Sequence, residues 1–241
     1  MIRLILICLW ILFIFVPFGI PALLITLLVG LFSKKLQDRL TMGYVKLVTR
    51  GITFLAGEKI VVIGRENVPK SGSFLVVSNH RSFFDIFTAY RFLPNPCACV
   101  SKKEWKKLPL LNFWMMLLHC YFLDRKSPRD GLRCSMAVAD ELRAGRSFWI
   151  CPEGTRSHKD TLLPFKEGSF RAAFQTGKAI LPMTLTHTDD LFEKHLPWVR
   201  SGTVTVCFSK PVPTEGLDKA GQKALVQAVQ DQIQKAYNEY V

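Results

Sequence analysis

Acidic residues are scarce in this chain of 241 residues: 19 aspartates and glutamates stand against 32 lysines and arginines, a formal net charge of +13. Charge of either sign is missing altogether from Leu4 to Ser33. A basic protein whose residues are 49% hydrophobic calls for a partner both negative and apolar, such as an anionic membrane surface. The basic balance has no zinc-finger spacing or basic heptad array beside it, so a nucleic-acid partner is set aside. No disulfide framework is present either. The seven cysteines (Cys8, Cys97, Cys99, Cys120, Cys134, Cys151 and Cys207) are odd in number and lie in apolar runs, as reduced thiols in a cytosolic setting do. Cys97-Ala98-Cys99 has no second Cys or His pair at a zinc spacing, so no metal site is expected. A G-x-S-x-G elbow is absent, which leaves covalent serine catalysis without sequence support. Internal repeats and low-complexity linkers are absent too.

The uncharged run is long enough to cross a bilayer, which takes about 20 apolar residues. Pro17, Gly19 and Pro21 interrupt it and leave Leu4–Val16 and Ala22–Phe32. A kinked span, a re-entrant helical hairpin and a secretory signal compete. The signal reading is the weakest, lacking a small-residue cleavage site. Arg3 on one side and Lys34, Lys35 and Arg39 on the other favour the hairpin, with both ends facing the cytoplasm. Lys35–Ala56 then has the periodicity of an amphipathic helix, which either lies on the membrane or packs on the domain C-terminal to it.

From Gly57 onward, short β-rich runs alternate with helical ones. Strands are expected at Lys59–Ile63, Ser73–Val77, Ala98–Val100, Tyr121–Leu123, Ser147–Cys151, Ala179–Leu185 and Thr203–Phe208. Helices are expected at Phe83–Phe92, Ser127–Ala144, Glu167–Gln175 and Leu217–Tyr240, with a very apolar segment at Trp105–Cys120. This pattern predicts an α/β fold: a mainly parallel mixed sheet flanked by helices. The expected division is 1–56, membrane-associated helices forming an N-terminal hairpin, and 57–241, the α/β domain. Nothing in the sequence speaks to oligomeric state.

Chemistry concentrates where strands end. Ser78-Asn79-His80-Arg81-Ser82-Phe83-Phe84-Asp85 follows one strand and opens a helix. An imidazole accepts a proton near neutral pH, and a carboxylate five residues on can fix its tautomer. The same eight residues also fit a capping box, with Asp85 serving the helix that starts near Ser82. Pro152-Glu153-Gly154-Thr155-Arg156-Ser157 follows a second strand. Arg156 offers a planar fork for a phosphate, Gly154 permits close backbone approach, and Glu153 is placed to orient the arginine or bind a hydroxyl. Arg125 follows a third strand in Phe122-Leu123-Asp124-Arg125, and Lys102 belongs to a basic cluster around Trp105.

Together these runs resemble the glycerolipid acyltransferases typified by 1-acylglycerol-3-phosphate acyltransferase. Asn79–Asp85 resembles the family's His-x-x-x-x-Asp motif, and Phe122–Arg125 and Pro152–Ser157 resemble its second and third. Ile180-Leu181-Pro182-Met183 resembles the fourth, with Met183 where valine is more usual, and Cys151 stands where phenylalanine is common. The resemblance covers Lys59 to Phe208. It implies transfer of a fatty acyl group from a thioester to the sn-2 hydroxyl of lysophosphatidate, giving phosphatidate. His80 would be the base and Asp85 its orienter. Arg125, Glu153, Gly154, Thr155, Arg156 and Lys102 would form the substrate site, with no metal and no cofactor. Acyl-CoA or acyl-carrier protein would be the co-substrate. Another lysophospholipid or an amino-acid lipid as acceptor, or a non-catalytic lipid-binding protein with the same fold, are the other readings.

Overall fold

The computed structural model describes every residue except Asn95 and Asp160. It opens with α1 (Ile2–Trp10), a wide π turn (Ile11–Phe15) and α2 (Val16–Phe32), which together form one unbroken helix of 31 residues. The break expected at Pro17–Pro21 does not occur. The wider turn accommodates Pro17: the Val16 amide reaches five residues back to the Ile11 carbonyl, and the Tyr44 hydroxyl donates to the Phe15 carbonyl at 3.1 Å. Prolines persist in apolar helices where widened turns and neighbouring side chains satisfy the freed backbone groups.

The reversal falls at Ser33, whose hydroxyl accepts from the Leu36 amide and caps α3 (Lys34–Ala56). The hairpin is therefore α1–α2 against α3. Its two arms meet through small residues. A Cβ on Gly51 would overlap the Trp10 ring, and one on Gly30 would overlap the Gln37 amide. Gln37 donates in turn to the Thr26 carbonyl at 3.2 Å. The outer face stays bare: Leu12, Phe13, Phe18, Leu24, Leu28 and Phe32 are among its exposed side chains. The amphipathic helix packs on the domain, as one of its two readings expected. Met42, Val48 and Ile52 are buried, while Leu36, Leu40, Leu47 and Phe54 form an exposed apolar strip.

Gly57, at φ 69°, ends α3 in the left-handed conformation that glycine adopts without strain and leads into the sheet. Its strands are β1 (Glu58–Ile63), β2 (Leu75–Ser78), β3 (Cys97–Lys102), β4 (Tyr121–Leu123), β5 (Ser147–Ile150), β6 (Ile180–Thr186) and β7 (Gly202–Phe208). The helices between and after them are α4 (Phe84–Phe92), α5 (Pro109–Leu117), α6 (Pro128–Arg143), α7 (Arg171–Thr176) and α8 (Lys219–Tyr240). The strand order is β1-β7-β6-β2-β5-β3-β4. Neighbours from β6 to β4 are parallel, β1 and β7 are parallel to each other, and β6 meets β7 antiparallel. The expected α/β architecture is what the chain forms. Boundaries moved slightly: β2 begins at Leu75, β3 runs to Lys102, and the apolar run Trp105–Cys120 holds a 3-10 turn followed by α5.

Two apolar layers cover the sheet. On one face α6, α7 and α8 bring Val138, Ala173 and Val229 onto Val77, Phe148 and Ile180. On the other, α4 and α3 bring Tyr90 and Met42 onto Val76, Trp149 and Leu181. Packing thus crosses the expected division at 56/57, because α3 is part of the core on that face.

Candidate active site

Five parallel strands end on the same edge of the sheet, and that edge collects every proposed chemical group. β2 runs into His80, β3 ends at Lys102, β4 runs into Arg125, β5 runs into Glu153–Arg156, and β6 runs into Thr188. Such an edge is where open α/β sheets bind ligands. Thirty residues of sequence separate Arg125 from Arg156, and parallel pairing of β3 with both β4 and β5 removes that separation.

His80 and Asp85 meet. Nδ1 of His80 lies 2.8 Å from Oδ2 of Asp85. The same carboxylate oxygen accepts from the amides of Arg81, at 2.7 Å, and Ser82, at 2.9 Å. Its other oxygen accepts from the Thr188 hydroxyl at 2.5 Å. Four donors thus converge on a carboxylate with 0% exposure, which explains how it is tolerated there. With Nδ1–H donating to Asp85, Nε2 of His80 carries the lone pair, and the ring is 16% exposed. The capping reading and the catalytic reading are compatible: Asp85 accepts the Ser82 amide at the start of α4 while it holds the imidazole.

The backbone that carries His80 is pinned from three sides. Asn79 exchanges two hydrogen bonds with Leu185 of β6, both at 2.8 Å. The Ser157 amide donates to the His80 carbonyl at 2.8 Å. Glu153 accepts from the His80 amide at 2.7 Å through Oε1 and from the Leu163 amide at 2.8 Å through Oε2. Both of its oxygens are therefore engaged, and burial pushes its carboxyl above the ordinary range. Glu153 shapes the site from beneath by fixing the base's backbone.

Arg156 reaches over this floor, 43% exposed, and donates to Glu193 at 2.8 Å. Glu193 also accepts from the Phe83 amide at 2.7 Å and the Ser82 hydroxyl at 2.5 Å. Arg125 and Lys102 are exposed, and Lys102 lies 3.7 Å from Glu104. Gly154 has φ 72°, and a Cβ there would stand 2.6 Å from the Lys166 ammonium. The left-handed backbone there favours glycine.

His80 lines a cavity of about 1090 Å³. Lys102, Arg125, Arg156 and Lys166 share its lining with apolar walls that include Tyr90, Leu111, Trp114 and Trp149. Phe15, Tyr44 and Val48 of the hairpin line it too. Thr155 is exposed and lies outside that lining. The arrangement places a proton acceptor and cations on the lining of one largely apolar cavity. Sequence reasoning missed Thr188, Glu193 and Lys166. The first follows the strand β6 directly, as His80 follows β2, so the strand-end rule applied to the fourth motif would have found it.

Among the described residues no group of three or more His, Cys, Asp or Glu side chains is arranged to hold a metal ion.

The acyltransferase family model matches residues 59–186. The chain is 32% identical over 182 residues to the 1-acyl-sn-glycerol-3-phosphate acyltransferase of Saccharomyces cerevisiae, covering 74% of this chain and 60% of the yeast protein. It is 33% identical over 201 residues to the human alpha enzyme of the same name, covering 82% of this chain and 70% of the human one. The crystal structure of PlsC, the 1-acyl-sn-glycerophosphate (LPA) acyltransferase of Thermotoga maritima, superposes with a TM-score of 0.84 at 26% identity, covering 98% of this chain and 95% of that one. On these matches and on the motifs assembled at the sheet edge, the chain belongs to the acyltransferase family that includes the 1-acyl-sn-glycerol-3-phosphate acyltransferases.

Proposed function

We propose that this protein transfers a fatty acyl group from an acyl thioester, carried by coenzyme A or acyl-carrier protein, to the sn-2 hydroxyl of 1-acyl-sn-glycerol-3-phosphate. One observation carries the reading: the oriented His80–Asp85 pair on a large, mostly apolar cavity whose lining also carries cations. Nε2 of His80 takes the proton of the acceptor hydroxyl as its oxygen attacks the thioester carbonyl. The tetrahedral adduct collapses with loss of the thiolate, which receives the proton from the imidazolium. Asp85 stabilises that imidazolium and keeps it in register. Proton, acyl group and thiol are accounted for without a covalent enzyme intermediate or a cofactor. Arg156 and Arg125 bind the acceptor phosphate, with Lys102 at the edge. Gly154 and Thr155 set the backbone from which Arg156 projects, and Glu153 fixes the backbone of His80. An acyl chain occupies the apolar recess.

The hairpin holds this site at an anionic membrane surface. Helix α1–α2 is apolar enough to cross a bilayer, yet its antiparallel partner α3 carries Lys34, Lys35, Asp38, Arg39, Lys46 and Arg50. A helix with those charges is costly to place across the hydrocarbon core. The pair lies within one leaflet, its exposed leucines and phenylalanines in the lipid and the active site on the cytoplasmic side.

The test is an acceptor panel with the purified protein, labelled acyl-CoA and chromatographic separation of the lipid products. Phosphatidate from lysophosphatidate is the expected product. Transfer only to lysophosphatidylcholine, or to an amino-acid lipid, moves the assignment to another acceptor.

A further inference from the structure

The catalytic motif ends at Asp85, but the carboxylate's fourth donor comes from a segment more than a hundred residues later. We propose that Thr188 is a positioning residue for the His80–Asp85 pair, its hydroxyl fixing the Asp85 carboxylate in the orientation that aims His80. The proposal rests on the reading of His80 as the base and deepens it.

The geometry is one-sided. Three donors crowd onto Oδ2 of Asp85, namely His80 Nδ1 and the amides of Arg81 and Ser82. Oδ1 takes its hydrogen bond from the Thr188 hydroxyl, at 2.5 Å, and Thr188 itself has 0% exposure. Without it a buried carboxylate oxygen loses its partner, a loss that favours rotation of the group. A hydroxyl facing a carboxylate that accepts everything around it can only donate, so the direction of the bond is fixed.

The segment holding Thr188 is itself nailed to the catalytic loop. Asp189 pairs with buried Arg81 at 2.8 Å, and Glu193 holds Ser82 and Phe83. Residues 188–193 therefore clasp the loop 81–85 at three successive points, and the contact inside that clasp that touches the Asp85 carboxylate is Thr188. Valine has nearly the same shape as threonine and lacks the hydroxyl, and serine has the hydroxyl and lacks the methyl. The other charged groups around the pair, Arg81, Glu153, Arg156, Asp189 and Glu193, are untouched by either change.

The experiment compares Thr188→Val and Thr188→Ser by kcat, KM, thermal midpoint and the pH profile of kcat/KM. Val is expected to lower kcat by about 10- to 100-fold with KM for either substrate unchanged. Its acid limb should move to higher pH, because a carboxylate that has lost a donor holds the His80 proton more tightly. Ser should restore both. In parallel, NMR titration of His80 in the detergent-solubilised protein, assigned by difference from His80→Ala, should show the same upward movement in Val and need no turnover. Wild-type kcat and an unmoved His80 titration in Val overturn the proposal. So does a Val protein whose loss of activity follows its loss of thermal midpoint with the His80 titration unmoved. A wild-type protein that acylates a different lysolipid revises the acceptor and leaves this test as it stands.

Discussion

The sheet edge and the hairpin solve opposite problems. At the edge, polar groups are buried and every one must find a partner, so Asp85 has four donors, Glu153 has two, and Asn79 is bonded on both sides of its amide. In the hairpin, apolar groups stand exposed, and the internal order comes from close approach at Gly19, Gly30 and Gly51. Hydrogen bonds are directional and tolerate little displacement, whereas apolar packing between helices constrains shape and leaves the outer apolar face exposed. A site that must aim one nitrogen is built from the first kind of contact, and the proposed membrane attachment from the second. Tyr44 and Phe15 join the two regions by lining the cavity that begins at His80.

The largest break expected in this contrast is at the base. His80→Ala should remove about 10²- to 10⁴-fold of the rate while the protein stays folded, since Asp85 keeps its Arg81, Ser82 and Thr188 donors. Asp85→Asn should leave a small residual rate. A folded His80→Ala protein with wild-type turnover would sink the mechanism. Next in size is Arg156→Ala, expected to raise KM for lysophosphatidate by about 10- to 150-fold, the worth of one charge-assisted bond. Arg156→Lys should lie between, having the charge and lacking the fork. The defect should shrink with an acceptor that has no phosphate. A defect confined to the donor's KM would move the arginines to the acyl donor.

The edge was far more legible in the sequence than the hairpin, for a physical reason. Strand-end motifs are local: His80 and Asp85 are five residues apart, and the alternation of strands and helices already implied that separate strand ends share one edge. Thr188 follows β6 as His80 follows β2, but its bond to Asp85, and that of Glu193 to Arg156, arise only through folding. In the hairpin, prolines at 17 and 21 read as a break because proline usually ends a helix. What keeps the helix intact is a widened turn and a tyrosine hydroxyl 29 residues away, neither of which periodicity records. The task of Gly51, making room for Trp10, likewise depends on a contact across the hairpin.

That contact gives the prediction for the other region. Gly51→Ala places a methyl where the Trp10 ring lies, and overpacking of this kind costs about 1–3 kcal/mol. The thermal midpoint and retention on anionic vesicles should both fall, while kcat per folded molecule stays near wild type. A large loss of kcat with retention intact would show that the hairpin shapes the cavity more than it anchors the protein.

The smallest expected effect lies where the two regions touch. His119, in the turn between α5 and β4, has φ 61° and sits between Asp38 of α3 and Glu141 of α6, 3.4 Å from each. Arg146 pairs with Glu141 and lies 3.8 Å from Asp38. The two carboxylates, Asp38 first, hold the His119 imidazolium up to about 9. A histidine whose folded value is raised binds its proton more tightly in the folded state. By linkage, the stability it adds is complete below its unfolded value of about 6.5 and is lost as pH rises through about 9. The ring is 34% exposed, so solvent screening reduces the contribution to about 1 kcal/mol. Between pH 7 and 10 the wild type should therefore lose about this much more stability than His119→Gln, which is neutral throughout. Thermal or denaturant midpoints measured for both proteins across that range check it, with added salt shrinking the difference. Equal pH slopes for the two proteins would mean that the carboxylates around His119 serve Arg146 alone, and that the hairpin is docked on the domain by apolar packing without help from this charged cluster.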